Sequence, residues 1–350
     1  MEKPALKVEK RLGEEALKAV SKLGLLDRGF KVKQLDGYIA IPLVRNPTEE
    51  EFNALRHLNP VVYVEEFEPR LRPRSVREAL EDMVPEDVLS SIPASLDLVG
   101  DVAIIQYRRE LEPYLKAVGE AVMKVYPRVK SVLVKTGPIS GDFRVGDYTV
   151  VAGSGETETV HKEYGCLYTV DPVKVYFSPR LSYERFRVAS MVKPGERVLD
   201  MFTGVGCYAI LIAKKVVDCV VYAVDINPVA VKYLKRNIAM NKVQGRVIPV
   251  QGDVVKVVEE GLKGVFDRVI MDNPSKAKFF LKTACQALKP SGGVIHYYGF
   301  YPEPNPEDQA LRDFRRGVLE AGRLVESAET RIVREVSPRR YHVAVDGKVC

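Results

Sequence analysis

The chain has 350 residues, of which 46% are hydrophobic and 29% are charged, and its net charge is +6. This is an ordinary globular composition, long enough for two or three domains and at least one sizeable core. No apolar run approaches the roughly 18 residues of a membrane span, and the charged N-terminus is unlike a signal peptide, so we expect a cytoplasmic protein with no membrane partner. The mild positive charge allows a nucleic-acid partner but does not require one.

The first 170 residues are predicted to form two small α/β domains. In residues 1–68, helical spacing runs from Gly13 to Leu23, a strand from Gly37 to Leu43, and Thr48 is placed to cap a second helix. The basic, proline-broken segment Pro69–Arg74 is typical of a linker, so a second domain is predicted over residues 69–170. Its predicted elements are a strand at Asp101–Tyr107, a helix at Leu115–Val125, a strand at Ser131–Lys135 and a glycine-rich turn at Ala152–Glu156.

Strands and helices alternate in residues 171–350, which predicts a Rossmann-like, doubly wound parallel sheet. The predicted strands are Arg197–Asp200, Val220–Asp225, Val247–Gln251, Arg268–Met271 and Gly293–Tyr298. A helix over Glu307–Ala321 is followed by two further strands, Arg331–Val336 and Tyr341–Val345, which suit a closing antiparallel hairpin. The predicted fold is therefore an α/β chain in which two smaller domains precede the Rossmann-like domain.

Five cysteines are scattered along the sequence: Cys166, Cys207, Cys219, Cys285 and Cys350. They form no CxxC pair and have few histidines nearby, a spacing that suits neither a zinc site nor a disulfide framework. We expect buried free thiols and no bound metal.

The strongest local motif is the segment Val198–Gly206, in which a strand ends in an acid and turns through two glycines into a helix. Gly204 and Gly206 lack a Cβ, so the backbone there can approach a ligand closely. The same glycines also fit the dinucleotide fingerprint, so a dehydrogenase with a nicotinamide cofactor is a competing interpretation.

The acids at successive strand ends favour a different cofactor. Asp200 precedes the glycine turn, where it would repel a pyrophosphate but would tolerate the positive sulfonium and ammonium of S-adenosylmethionine. Asp225 ends the second strand and can accept both ribose hydroxyls, and Asp253 follows the third and can face the adenine amine. The pattern indicates an S-adenosylmethionine-dependent methyltransferase, although Asp200 could instead cap the following turn.

The segment after the fourth strand, Met271–Ser275, limits which atom of a base the enzyme can methylate. It lacks the second proline and the aromatic residue common in enzymes that methylate exocyclic amines, and it has no Pro-Cys pair for covalent attack on a pyrimidine carbon. A ring nitrogen is a better target. Guanine N1 carries a hydrogen at neutral pH, so such a reaction needs a base, and a cation near O6 would stabilise the developing charge.

Several motifs resemble the archaeal and eukaryotic tRNA guanine-37 N1-methyltransferases. These motifs are Gly141–Val145, Val175–Arg185, Asp200–Gly206, Ala223–Pro228 and Gly292–Tyr298. The resemblance spans most of residues 97–345, and residues 1–68 resemble the small N-terminal domain of the longer archaeal members. It implies an enzyme whose partner is tRNA with guanine at position 37 and whose N-terminal domain binds the tRNA elbow. We expect a monomer that needs no metal for methyl transfer.

The resemblance also implies roles for individual residues. Glu184 matches the proposed general base and Arg144 the arginine that polarises O6. Residues that match, or lie in motifs of, the cofactor site are Tyr176, Arg185, Asp200, Phe202, Gly204, Gly206, Asp225, Ile226, Asp253 and Val254. Other interpretations remain open: Glu184 could pair with Arg180 or Arg187 on one helix face, Arg144 could contact a phosphate, and Tyr176 could pack in the core.

One position departs from the family pattern. Where the family has an asparagine that touches cofactor or base, this chain has Asp272 followed by Asn273. An aspartate cannot donate an amide hydrogen bond, so either Asn273 has taken the role or the target has changed. Alternatives at the same tRNA position are therefore methylation of a tricyclic guanine derivative and aminocarboxypropyl transfer; a catalytically silent tRNA-binding module is a further one.

Two arginine clusters are candidates for phosphate contacts, although such clusters are usually solvated faces. The first contains Arg70, Arg72, Arg74 and Arg77, and the second contains Arg312, Arg315, Arg316, Arg339 and Arg340.

Overall fold

The computed structural model describes residues 1–70, 73–81, 83–93, 95–137 and 146–350. The chain divides into two compact units, Met1–Asp82 and Met83–Cys350. The division into three domains that the sequence predicts stays a prediction.

The first unit is an antiparallel sheet with helices packed on it. Its strands are β1 (Glu2–Glu9), β2 (Lys33–Leu35), β3 (Tyr38–Pro42) and β4 (Val61–Glu66), in the order β2–β3–β1–β4. Its helices are α1 (Gly13–Lys22), α2 (Glu49–Leu55) and α3 (Val76–Leu80), with 3-10 turns at Lys10–Leu12 and Arg56–Leu58. Ala16 and Val20 of α1 pack on Leu6 and Ile41 of the sheet to form a core.

Helix α2 begins where the sequence predicts it. The Thr48 hydroxyl accepts a hydrogen bond from the Glu51 backbone N–H, and the Glu51 carboxylate accepts one from the Thr48 N–H. This reciprocal capping satisfies donors that a helix start otherwise leaves unpaired.

The second unit begins with a four-stranded sheet and a hairpin. The sheet strands are β5 (Asp97–Val99), β6 (Val102–Gln106), β7 (Ser131–Lys135) and β8 (Tyr148–Gly153), in that order, with β6 and β7 parallel. The hairpin is β9 (Thr159–Glu163) and β10 (Cys166–Val170), and the helices of this region are α4 (Glu86–Ser91), α5 (Leu115–Val125) and a 3-10 helix at Arg109–Tyr114. Val102 and Leu133 share one hydrophobic core with Val198 and Val221 of the sheet that follows.

A seven-stranded sheet forms the rest of the unit. Its strands are β11 (Arg197–Asp200), β12 (Val220–Asp225), β13 (Val247–Gln251), β14 (Arg268–Met271), β15 (Gly293–Pro302), β16 (Val325–Ser337) and β17 (Arg340–Val349). Their order is β13–β12–β11–β14–β15–β17–β16; the first five are parallel and β17 runs antiparallel to β15 and β16. The predicted Rossmann-like sheet and its closing hairpin are confirmed.

Helices cover both faces of this sheet. They are α6 (Ser182–Met191), α7 (Cys207–Lys215), α8 (Pro228–Met240), α9 (Val254–Val257), α10 (Leu281–Ala287) and α11 (Pro306–Glu320), with 3-10 turns at Pro179–Leu181 and Ala277–Phe280 and a π-type turn at Val258–Leu262. Separate apolar cores lie on the two faces, one around Ile210 and Leu234 and the other around Phe266 and Phe314. The strand order reverses between β11 and β14, and such a reversal opens a crevice at the carboxyl ends of the strands.

All five cysteines are free, and four are buried as the sequence predicts. The prediction of a buried thiol is wrong for Cys350, which is the last residue of the sequence and is exposed. No helix in the described ranges has the length and apolar content to cross a bilayer. Within the same ranges, no cluster of three or more histidine, cysteine or acidic side chains could hold a metal ion.

Candidate active site

A cavity of about 280 Å³ lies at the carboxyl ends of β11 to β14. Most of the predicted cofactor residues line it: Tyr176, Arg185, Phe202, Gly204, Asp225, Ile226, Asp253, Val254, Asp272 and Asn273. Asp200 and Gly206 are not among the described residues of its wall, and Arg144 lies outside the described residues. The structure thus brings together segments that are up to about a hundred positions apart in the sequence.

The two glycines of the turn after β11 have different reasons to be glycine. Both have positive φ, +56° at Gly204 and +95° at Gly206, a region that favours glycine. A Cβ on Gly206 would lie 2.5 Å from Leu234 Cδ1 and 2.9 Å from Ile210 Cδ1, so this position is required for close packing of α7 on α8. A Cβ on Gly204 would meet nothing nearer than the Tyr176 carbonyl oxygen at 3.9 Å, and Gly204 faces the cavity.

Asp225 is fixed at the end of β12 by two backbone N–H groups. Gly204 N–H donates to Oδ2 at 2.7 Å and Asn227 N–H donates to Oδ1 at 2.8 Å. Burial raises the pKa of Asp225, and these two hydrogen bonds oppose the rise. Each carboxylate oxygen keeps a further lone pair, so the side chain can accept from both hydroxyls of a ribose.

Asp253 caps a helix and also lines the cavity. Its Oδ1 accepts a hydrogen bond from Val255 N–H at 2.9 Å and so caps the short helix α9. The cap fixes the direction of the carboxylate, which is what recognition of an adenine amine requires.

Asp200 is an unusual acid because it is only 1% exposed and, among the described residues, neither of its carboxylate oxygens has a hydrogen-bond partner. Burial raises the pKa of Asp200 to about 7; the polar side chain of Thr203 and the backbone of Phe202 partly oppose the rise, and the nearby carboxylates of Asp272 and Asp225 add to it. A buried carboxylate without partners is costly unless something positive offsets it. S-adenosylmethionine, with its sulfonium and ammonium, carries the charge that would do so.

An aromatic pair on the cavity wall includes one residue, Phe280, that lies outside the motifs singled out in the sequence. Phe280 lies edge-on to Phe202, with ring centroids 5.0 Å apart and planes at 74°. The rest of the wall, polar and apolar, is formed by Phe177, Met201, Thr203, Val205, Cys207, Tyr208, Asn227, Ala230, Gly252 and Lys276. Most of them directly follow predicted residues in the chain, whereas Phe280 comes from a separate 3-10 turn.

Arg185 contributes a fixed positive charge to the wall. Its guanidinium donates to Glu163 Oε2 at 2.7 Å and to the Ser178 carbonyl oxygen at 2.8 Å, and it stacks over the Phe177 ring at 5.2 Å. Glu163 is itself buried, and burial raises its pKa while Arg185 opposes the rise. Sequence reasoning missed Glu163, because its hairpin position carries no motif.

Glu184 is buried near the site but is not on the described wall of the cavity. Arg187 donates to both of its oxygens, at 2.7 and 3.0 Å, and Arg331 Nη1 lies 3.5 Å from Oε2. The Tyr298 hydroxyl donates to Oε1 at 2.7 Å. The pairing of Glu184 with Arg187 on one helix face, an interpretation left open by the sequence, is therefore present, whereas Arg180 pairs with Asp97.

The described arginines of the predicted basic clusters are exposed, except Arg70, whose side chain is only 13% exposed. Arg74 and Arg77 are exposed, Arg70 lies 3.9 Å from Glu78, and Arg72 lies outside the described residues. The arginines of the second cluster are all exposed; Arg316 pairs with Asp313 and Arg340 packs on the Phe300 ring.

Comparison with known proteins decides the family. Residues 159–324 match the profile of the TRM5/TYW2 methyltransferase domain, residues 76–157 that of the TYW2 N-terminal domain, and residues 5–52 that of the tRNA methyltransferase 5 N-terminal domain. The chain is 39% identical over 345 residues to tRNA (guanine(37)-N(1))-methyltransferase Trm5b of Pyrococcus abyssi, which covers 99% of this chain and 98% of that protein. The chain belongs to the TRM5/TYW2 methyltransferase family.

Other members of the TRM5/TYW2 family are similar over most of the chain. The solved complex of aTrm5 and tRNALeu has a TM-score of 0.71 and 32% identity, covering 98% of this chain and 99% of that chain. The tRNA(Phe) (4-demethylwyosine(37)-C(7)) aminocarboxypropyltransferase of Pyrococcus horikoshii is 34% identical over 279 residues, covering 80% of this chain and 97% of that protein. The predicted family, enzyme class and S-adenosylmethionine cofactor are confirmed, and the nicotinamide alternative is disfavoured.

Proposed function

We propose that this member of the family transfers the methyl group of S-adenosylmethionine to N1 of guanine 37 in tRNA. The observation that carries the proposal is the cavity at the strand-order reversal. Its acids Asp225, Asp253 and Asp272 are placed for a cationic nucleoside rather than for a pyrophosphate.

The wall residues can hold each part of the cofactor. Asp225 accepts from the ribose hydroxyls, Asp253 faces the adenine amine, and Phe202 with Phe280 offers an apolar surface for the base. Arg185 is the cation available for the cofactor's carboxylate, and the negative charge of Asp200, Asp225 and Asp272 favours its sulfonium and ammonium. When bound, S-adenosylmethionine supplies an electrophilic methyl group.

The protein's own task is to make guanine N1 nucleophilic. Glu184 receives the N1 proton as general base, and Arg144 stabilises the charge that develops on O6. Both assignments rest on the match of these residues to the family motifs. Glu184 suits the role because Arg187 and Arg331 keep its side chain in one place.

Binding of tRNA belongs to the same proposal. The N-terminal residues 1–68 grip the elbow of the tRNA, and the exposed arginines 312, 315, 316, 339 and 340 contact phosphates near the active site. We propose that the enzyme is a monomer and that it acts in the cytoplasm.

The test is incubation of the protein with unmodified tRNA and labelled S-adenosylmethionine, followed by nuclease digestion and mass spectrometry of the nucleosides. We expect N1-methylguanosine from tRNA with guanine 37 and no product when that base is adenine. Methylation of the adenine-37 tRNA, or of another position, would contradict the proposal.

Aminocarboxypropyl transfer is the second candidate. It is favoured by the match of residues 76–157 to the TYW2 N-terminal domain and by Asp272, which stands where the family has asparagine. The same digest separates the two candidates, because one adds the mass of a methyl group and the other that of an aminocarboxypropyl group. A tricyclic guanine at position 37 should be supplied as a parallel substrate.

A further inference from the structure

A chain of hydroxyl groups connects the cofactor cavity to Glu184. Tyr208, in the first turn of α7, lines the cavity, and its hydroxyl donates to the hydroxyl of Tyr298 at 3.3 Å. Tyr298, on β15, donates in turn to Glu184 Oε1 at 2.7 Å. The two tyrosine rings lie 6.4 Å apart, and both side chains are buried.

The direction of these hydrogen bonds allows a proton to move toward Glu184. Each hydroxyl donates toward Glu184, so a proton that arrives at the Tyr208 oxygen can displace one proton along each bond. The far end of the chain is a carboxylate whose two oxygens are held by Arg187 and approached by Arg331. The end at the cavity is Tyr208, whereas Glu184 is not on the described part of the cavity wall.

An acid on the cavity wall acts electrostatically on the hydroxyls of both tyrosines. This acid is Asp272, and Glu184 acts electrostatically on the same two hydroxyls. The hydroxyls are therefore within electrostatic reach of the place where the family motif touches cofactor or base.

We propose that Tyr208 and Tyr298 relay the N1 proton of the target guanine to Glu184. This relay rests on the proposed function. The N1–H bond breaks and leaves its electron pair on guanine; the Tyr208 oxygen gains that proton and passes its own to Tyr298, which passes its own to Glu184 Oε1. Both tyrosines end neutral and Glu184 ends as a carboxylic acid. The electron pair on N1 can then form the bond to the methyl carbon, while the bond between that carbon and the sulfonium breaks and leaves its electron pair on the sulfur of S-adenosylhomocysteine.

A relay through neutral hydroxyls fits the surroundings. Burial raises the pKa of Tyr208 and of Tyr298 well above the ordinary value, and neighbouring negative groups, including Asp272 and Glu184, raise it further. Neither tyrosine can therefore act as a free anion at neutral pH. A concerted shift avoids that anion, because every oxygen loses one proton as it gains another.

The test compares three tyrosine-to-phenylalanine variants in single-turnover methylation of guanine-37 tRNA. Tyr208→Phe and Tyr298→Phe each remove one hydroxyl of the relay. Tyr297→Phe is the matched control, because Tyr297 is equally buried on the same strand but bonds Tyr301 in the core on the opposite face. We expect about 10²-fold slower methyl transfer in both relay variants and a wild-type rate in the control. Thermal unfolding and S-adenosylhomocysteine affinity establish that each variant is folded.

Three results would each contradict the relay. A wild-type rate in Tyr208→Phe with a slow Tyr298→Phe would mean that Tyr298 only positions Glu184, which overturns the relay. Wild-type rates in both variants beside a slow Glu184→Gln would overturn the relay and leave the proposed function intact. A measurement on the unmodified enzyme needs no variant: in mixtures of H2O and D2O the rate should depend non-linearly on the deuterium fraction, and a linear dependence would contradict the relay.

Discussion

Replacing Asp200 by asparagine should stabilise the protein above neutral pH. Asp200 is 1% exposed, and in the described part of the chain its oxygens have no hydrogen-bond partner. Burial raises its pKa from 3.8 to about 7. That difference corresponds to about 4 kcal/mol by which folding disfavours the ionised carboxylate.

The sign of the effect follows from the raised pKa. The folded protein holds the proton more tightly than the unfolded chain, so the penalty is absent below about pH 4, grows as the pH rises, and is complete above about pH 7. An asparagine removes this penalty but buries an amide, which costs about 1–3 kcal/mol. The net gain at pH 8 is about 1–3 kcal/mol, or several degrees in Tm at about 2–4 °C per kcal/mol.

The assay is thermal unfolding of the wild type, Asp200→Asn and the exposed control Asp218→Asn at pH 5 and pH 8. We expect a higher Tm for Asp200→Asn at pH 8, little or no gain at pH 5, and no change in the control. In the same variant the affinity for S-adenosylmethionine should fall about fivefold, because the cation loses about 1 kcal/mol of attraction. A Tm that drops equally at both pH values would refute the reasoning.

Other predictions concern the remaining site residues. Asp225→Asn should weaken S-adenosylhomocysteine binding by about 10–100-fold in calorimetry, since a charged hydrogen bond to the ribose is worth about 1.5–3 kcal/mol; an unchanged Kd would place the ribose elsewhere. Gly206→Ala should lower the Tm more than Gly204→Ala, because only the former drives a Cβ to 2.5 Å from Leu234; the reverse order would contradict the packing argument. Glu184→Gln should keep cofactor affinity and lose about 10²-fold in single-turnover rate, and a wild-type rate would remove Glu184 from the mechanism.

The regular elements of the second unit could be predicted from the sequence because their patterns are local. The first four strands of the parallel sheet, β11 to β14, begin and end where the alternation of apolar runs and turns places them. The last strands are longer than predicted: β15 continues to Pro302, and β16 begins at Val325. Their extra length comes from pairing with β17, and such long-range pairing leaves little trace in any one segment.

The residues of the candidate site also fall into two groups, those that a local sequence pattern reveals and those that it does not. Asp225, Asp253 and Gly204 could be found because strand ends and glycine turns mark them in the sequence. Phe280 and Glu163 could not, since their places beside Phe202 and Arg185 depend on tertiary packing. The burial of Asp200 and the hydrogen bond from Tyr298 to Glu184 likewise depend on elements that are distant in the sequence and pack together in the fold.

The sharpest measurement is a structure of the protein with guanine-37 tRNA and an unreactive S-adenosylmethionine analogue. We predict that the ribose will lie on Asp225, the adenine amine at Asp253, and guanine N1 opposite the donor position with the Tyr208 hydroxyl within hydrogen-bond distance. An analogue seated away from these acids, or a target base turned with N1 away from the donor, would contradict it.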